Sequence, residues 1–191
     1  RVVRLDPAAA RDAPGLFEVF ADPAVFAQGY RMSERLTDPA QADALVADQI
    51  AARPGRTAYT VRLVGDSDLG LAGAVVGTSS LGDVDVPGEQ VHLGWTTYGS
   101  RWWGTAVNPE AKLLLLAHAF EDCHFGRVRI QTDVVNERSR AAILRLGAVQ
   151  EGVLRRTARR ADGSWRDTVV FSILADEWPA VRARLEARLG R

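Results

Sequence analysis

Apolar residues recur along this chain with two periods in turn, and the order in which those periods alternate predicts its elements. Residues 2–5 alternate as a short strand, and 7–20 carry a helical stripe of Leu16, Phe17 and Phe20 that Pro14-Gly15 bends or splits. Asp38 caps a second helix, Pro39 occupies its first turn, and Leu45, Val46 and Ile50 form its stripe before Pro54-Gly55 stops it. Residues 57–64 and 69–81 are β-branched strands joined by the turn sequence Gly65-Asp66-Ser67-Asp68, so an antiparallel pair follows. After a polar turn at 84–88 comes a strand at 90–98. Gly94 interrupts it, which in a strand signals a bulge or a close backbone approach.

An apolar helix opens near Asn108-Pro109, runs through Phe120 and leads to an alternating strand at 127–135. This is a βαβ crossover, and it makes those two strands a parallel pair. Residues 138–146 form a short helix stopped by Gly147, and 150–160 with 165–174 form a long hairpin about Asp162-Gly163. A terminal helix at 176–189 turns Val181, Leu185 and Leu189 onto its own domain. The order predicts a mixed α/β fold (α+β, mixed sheet): a central, mostly antiparallel sheet flanked by helices. No repeat or low-complexity linker divides the 191 residues, so one domain, 1–191, is expected.

Composition narrows the class. At 47% hydrophobic and 25% charged, the chain belongs with ordinary globular domains. Its 24 cationic and 24 acidic residues cancel, so no basic field advertises a nucleic-acid partner. Lys112 is the one lysine; every other cation is arginine, and alanine is abundant, as in a GC-rich bacterial coding sequence. The single cysteine, Cys123, excludes an intramolecular disulfide and fits a reducing cytoplasm. The longest apolar run is too short to span a membrane and no signal pattern is present, so a cytoplasmic protein without a membrane partner is expected. Cys123, His118 and His124 close an apolar helix without the further ligands a metal site needs, and no metal is expected.

Two stretches carry candidate chemistry. The first is Arg101-Trp102-Trp103-Gly104-Thr105-Ala106-Val107-Asn108-Pro109-Glu110, between a strand and a helix. It reads as a phosphate cradle, because small residues let a ligand approach the backbone and a helix start offers unpaired N–H groups at its positive dipole end. Asn108 is read as the helix cap and Pro109 as a first-turn residue. The bland alternative is a plain connection anchored by Trp102 and Trp103. The second stretch is Asn136-Glu137-Arg138-Ser139-Arg140-Ala141-Ala142-Ile143-Leu144-Arg145-Leu146-Gly147-Ala148, followed by Glu151-Gly152.

With the element order, these stretches and Leu93-Gly94-Trp95 resemble the GCN5-related N-acetyltransferase (GNAT) superfamily, most closely its RimJ/RimL-like branch of ribosomal-protein N-terminal acetyltransferases. The resemblance implies acetyl-coenzyme A as donor, with pantetheine between splayed parallel strands 90–98 and 127–135. Its pyrophosphate would rest on the backbone of Trp103, Gly104, Thr105, Ala106, Val107 and Asn108. The family's cradle pattern fits in two registers, Arg101/Gly104/Ala106 or Trp103/Ala106/Asn108, of which the second keeps the spacing to Glu110-Ala111.

Further roles follow from the same resemblance. Trp95, Thr96 or Thr97 would present a backbone N–H to the thioester oxygen. Asn136 would bond pantetheine besides capping its helix, and Ser139 would protonate the departing thiolate. Arg140 and Arg145, with Arg138 and Lys112 as further candidates, would meet phosphate. His92 stands where many relatives carry glutamate, and an imidazole, which ordinarily titrates at roughly pH 6.5, suits a general base near neutrality. Glu89, Glu151 and Tyr98 are fallback proton carriers. The acceptor wall would include Phe26, Tyr30, Arg31, Tyr98 and the arginine-bearing hairpin at 155–166. The acceptor is expected to be a protein N-terminus or a small-molecule amine, and related enzymes are often homodimers. An acyl-coenzyme A binding regulator without turnover is the alternative.

Overall fold

The computed structural model describes residues 1–27, 33–50 and 55–191. One seven-stranded sheet runs in the order β1-β2-β3-β4-β5-β7-β6. Its strands are β1 (Val3–Pro7), β2 (Thr57–Leu63), β3 (Val75–Asp85), β4 (Gln90–Tyr98), β5 (Arg127–Asp133), β6 (Val149–Arg159) and β7 (Trp165–Leu174). All neighbours are antiparallel except β4 and β5, the pair the crossover predicts. The helices are α1 (Ala13–Phe20), α2 (Pro23–Phe26), α3 (Pro39–Ile50), α4 (Val107–Ala117), α5 (Glu137–Leu146) and α6 (Trp178–Arg188).

Local chemistry explains most boundaries. Asp38 accepts the Ala40 N–H (2.9 Å) at the start of α3, and Gly147 ends α5 at φ 100°, a left-handed stop that glycine adopts without strain. Pro14-Gly15 does not bend a helix over 7–20. Pro14 sits in the first turn of α1, and residues 7–12 finish β1 and make a short 3₁₀ turn. Helix α2 is too short to show a period and escapes sequence reading. Asn108 is not the cap of α4, because the helix starts at Val107 after Ala106; Pro109 still falls among the N–H groups that no helix pairs. Residues 69–74 form a turn in which Ala72 donates to Asp66 Oδ1 (2.8 Å), so β3 begins later than its β-branched pattern suggests.

Two apolar clusters hold the helices to the sheet. Leu93, Leu116, Val128, Phe171, Ile173 and Leu185 anchor the one under α4, α5 and α6. Val3, Leu16, Val19, Val46, Val61 and Val107 anchor the one under α1 and α3. Glu110, fully buried in the first turn of α4, accepts the Val2 N–H and pairs with Arg191 (2.6 Å), which fixes the start of that helix.

Candidate active site

Strands β4 and β5 pair only over Gln90–His92 and Arg127–Arg129. Beyond that point β5 stays paired to β7 as far as Asp133 and β4 to β3 as far as Tyr98, so the two halves of the sheet part from each other there. A cleft of about 790 Å³ fills the gap. Residues 93–98 and 130–133 line it, together with Trp103, Gly104, Thr105, Asn108 and Lys112 on one side and Asn136, Ser139 and Arg145 on the other.

A bulge shapes the β4 edge. Thr97 faces Thr78 and Gly94 faces Ser80, so Trp95 and Thr96 together oppose Ser79. Trp95 takes φ 51°, is 38% exposed as a residue, and packs 4.7 Å from the His92 ring and 4.5 Å from the Arg56 guanidinium. Gly82 makes room for it, since a Cβ there would come within 2.8 Å of the indole. The bulge predicted at Gly94 thus lies at the next two residues.

His92 is 4% exposed. Its Nδ1 lies 3.1 Å from Asp83 Oδ2, and its Nε2 is buried without a partner among the described residues. Gly94 lies beneath the ring, where a Cβ would approach Nε2 to 2.6 Å. Burial, then Arg129, push the imidazole pKa down to about 4 against the upward pull of Asp83, with Lys112 a smaller downward influence. The ring is neutral at pH 7.

Lys112 is the second perturbed group. It is 6% exposed, donates to Thr96 Oγ1 (3.0 Å), and pairs with no carboxylate among the described residues. Thr96 Oγ1 in turn shares a hydrogen bond with Ser79 Oγ (2.7 Å). Burial lowers the Lys112 pKa to about 7. The ammonium therefore turns into the splay beside Thr96 rather than outward as a phosphate ligand.

In the cradle, Gly104 takes φ 78°, the backbone that suits glycine. Thr105 Oγ1 donates to Trp102 O (2.7 Å) and accepts the Val107 N–H (3.3 Å), while the Val107 side chain is fully buried. Trp102 is an anchor, its indole N–H donating to Leu69 O (3.0 Å) beside Arg101, which also donates to Leu69 O. Arg101 is outside the cleft, whereas Trp103 and Asn108 line it. Trp103 donates to Tyr98 O (3.0 Å) and carries the Arg138 guanidinium 3.2 Å from its ring centre.

Helix α5 presents Asn136, Ser139 and Arg145 to the cleft. Asn136 is the N-cap, its Oδ1 accepting the Ser139 N–H (3.0 Å). Arg140 instead donates to Val134 O (3.2 Å) and is not among the cleft residues, nor is Phe26, which packs on the cluster under α1 and α3. Tyr30 and Arg31 lie outside the described residues. Tyr98 lines the cleft with its hydroxyl buried and unpartnered among those residues, and burial pushes its pKa up. Glu89 and Glu151 are off the cleft; Glu151 accepts from Arg127 (2.6 Å) and Ser172 (2.9 Å). On the late hairpin, Arg160 pairs with buried Asp133 (2.7 Å), Arg156 and Arg159 stack on Trp165, and Arg166 reaches the cleft.

Sequence reading does not find Asp83, Arg129, Arg56 or Ser79. Each enters through a cross-strand contact, and no local motif carries a signal for it.

The comparisons show the class of protein to be an acyltransferase. Residues 3–149 match the family model of the acetyltransferase (GNAT) domain, and the chain belongs to that family. It is similar to a Thermus thermophilus protein whose crystal structure is provisionally described as an acetyltransferase, at 38% identity and TM-score 0.84 over 99% of this chain and 94% of that one. A Bacillus subtilis protein, provisionally named ribosomal N-acetyltransferase YdaF, is 31% identical over 106 residues, which are 56% of this chain and 57% of that protein. Mycobacterium smegmatis RimJ in complex with CoA-disulfide shares the fold, at 22% identity and TM-score 0.80 over 99% of this chain and 90% of that one.

Proposed function

We propose that the chain moves an acetyl group from acetyl-coenzyme A to a primary amine by direct attack, the acceptor being a protein N-terminus or a small-molecule amine. One observation carries the reading: β4 and β5 stop pairing at His92 and Arg129, and the cleft that follows ends on the cradle before α4. Two strand edges released from each other suit an amide-bearing arm that pairs as a strand would. A helix start behind Gly104 suits its diphosphate. The name of YdaF, a ribosomal N-acetyltransferase, favours a protein amine among the acceptors.

When bound, acetyl-coenzyme A supplies the activated acyl carbon. The chain's own groups then have separable tasks. The backbone N–H groups at the Trp95 bulge donate toward developing negative charge on oxygen. His92 Nε2 takes, through a bridging water, the proton of an amine that arrives neutral. So weak a base does not strip a resting ammonium, but it suits a nitrogen that grows acidic as it bonds to carbon. Ser139 Oγ holds a proton for sulfur, and Asn136 and Trp103 position the arm.

Thiol release from acetyl-coenzyme A, measured with panels of N-terminal peptides, amino acids and polyamines, tests the reading. At least one amine class is expected to accelerate release, and His92→Gln to lower the rate roughly 10²-fold with little change in donor affinity. Donor binding with no release for any amine would instead favour the regulator without turnover.

A further inference from the structure

We infer that Asp83 is a positioning residue that fixes the tautomer of His92, leaving Nε2 as a proton acceptor at the cleft. The inference rests on the acetyl-transfer reading only for its kinetic consequence. His92 faces Gly82 across the β3–β4 ladder and Arg129 across the β4–β5 ladder. Directly opposed residues share a face, and in a regular strand Asp83, next to Gly82, would point to the other one. It does not.

The register slips between Gly82 and Asp85, and Asp83 takes φ 48°. A bulge of this kind re-aims a side chain, and aspartate tolerates the left-handed backbone better than most residues. The carboxylate consequently reaches His92 Nδ1 (3.1 Å) and Arg129 (2.7 Å) with the same oxygen. An ionised carboxylate only accepts, so Nδ1 carries the hydrogen and the lone pair is left on Nε2.

That lone pair is the buried, unpartnered atom over Gly94. An unpaired polar atom in so closed a place calls for a donor from outside the chain, and a water that relays the proton of an amine is one. The groups that set the charge of the ring are Asp83 on β3, Arg129 on β5 and Lys112 on α4. Asp83 itself is half exposed and lines a second, smaller cavity of about 210 Å³ with His92 and Arg129, so the pair joins the buried ring to solvent.

The test combines imidazole ¹⁵N NMR of the free protein, assigned with His92→Gln, and donor-saturated kinetics. Asn and Gly both tolerate positive φ, so Asp83→Asn and Asp83→Gly are the variants to use. The natural chain is expected to show the Nδ1–H tautomer. Asp83→Gly is expected to lose that preference and about tenfold in kcat, with KM for acetyl-coenzyme A unchanged. Asp83→Asn, which still offers an acceptor oxygen, is expected to keep the tautomer, lower the His92 titration midpoint and recover most of the rate.

An Nε2–H tautomer in the natural chain overturns the inference, and so does an Asp83→Gly protein with unaltered tautomer and kcat. The expected NMR result in a protein that releases no thiol with any amine supports the Asp83–His92 arrangement and removes the acetyl-transfer reading, so the two fail separately.

Discussion

Lys112 holds a charge that no carboxylate among the described residues balances, which makes its consequences measurable. Its folded pKa of about 7 lies below the ordinary lysine value, so between those two pH values the unfolded chain binds the extra proton. Stability contributed at this site therefore rises with pH through that window, and the buried ammonium is a burden below it. Lys112→Met is expected to stabilise the protein at pH 6 by about 2 kcal/mol, roughly 4 to 8 °C in Tm, and to give little at pH 10. Thermal melts at the two pH values check this, and equal gains at both would exclude a titrating Lys112.

Residue by residue, legibility follows distance along the chain. His92 is readable because it stands two positions before Gly94, and Asn136 because it precedes its own helix. Asp83 is not, because a bulge at its own position turns it toward a histidine nine residues away, and Lys112 reads as a phosphate partner because the sequence does not show which way α4 faces.

Among the elements, the β4 bulge has the sharpest consequence. Gly94 leaves room for the His92 ring, and Gly94→Ala would bring a methyl to 2.6 Å from Nε2. The ring would have to leave Asp83. Overpacking of this sort costs about 1–3 kcal/mol, and turnover is expected to fall at least as far as in His92→Gln while donor affinity is largely kept. Melting curves with donor calorimetry check both halves.

Helix and strand types are legible where periodicity is long. The sequence pattern finds α3, β4, α5 and the β6–β7 hairpin to within a residue or two. It fails at α2, which has no room for a period, and at residues 69–74, where apolar character belongs to a turn.

At the scale of the whole molecule, the sheet is continuous on either side of an opening that the sequence can only suggest. The βαβ crossover makes β4 and β5 parallel, but how far they pair depends on β7 holding β5 on one side and β3 holding the bulged β4 on the other. Filling that opening ties together strands whose ladder otherwise holds only three residue pairs. Coenzyme A at about 100 times its Kd is expected to add about 2.7 kcal/mol, a rise of roughly 5 to 10 °C in Tm. A thermal shift series checks this, and an unmoved Tm up to millimolar coenzyme A would exclude a donor site.

An enzyme that handles activated acetyl groups runs the risk of acylating itself. Guanidinium groups stay protonated and do not attack thioesters at neutral pH, and this chain uses arginine for every cation except one. The remaining amine side chain is tucked against Thr96. Stray thioester in solution thus meets no nucleophilic lysine on the outside of the protein, and self-labelling of a side-chain amine, seen as an added acetyl mass, would have to map to the interior.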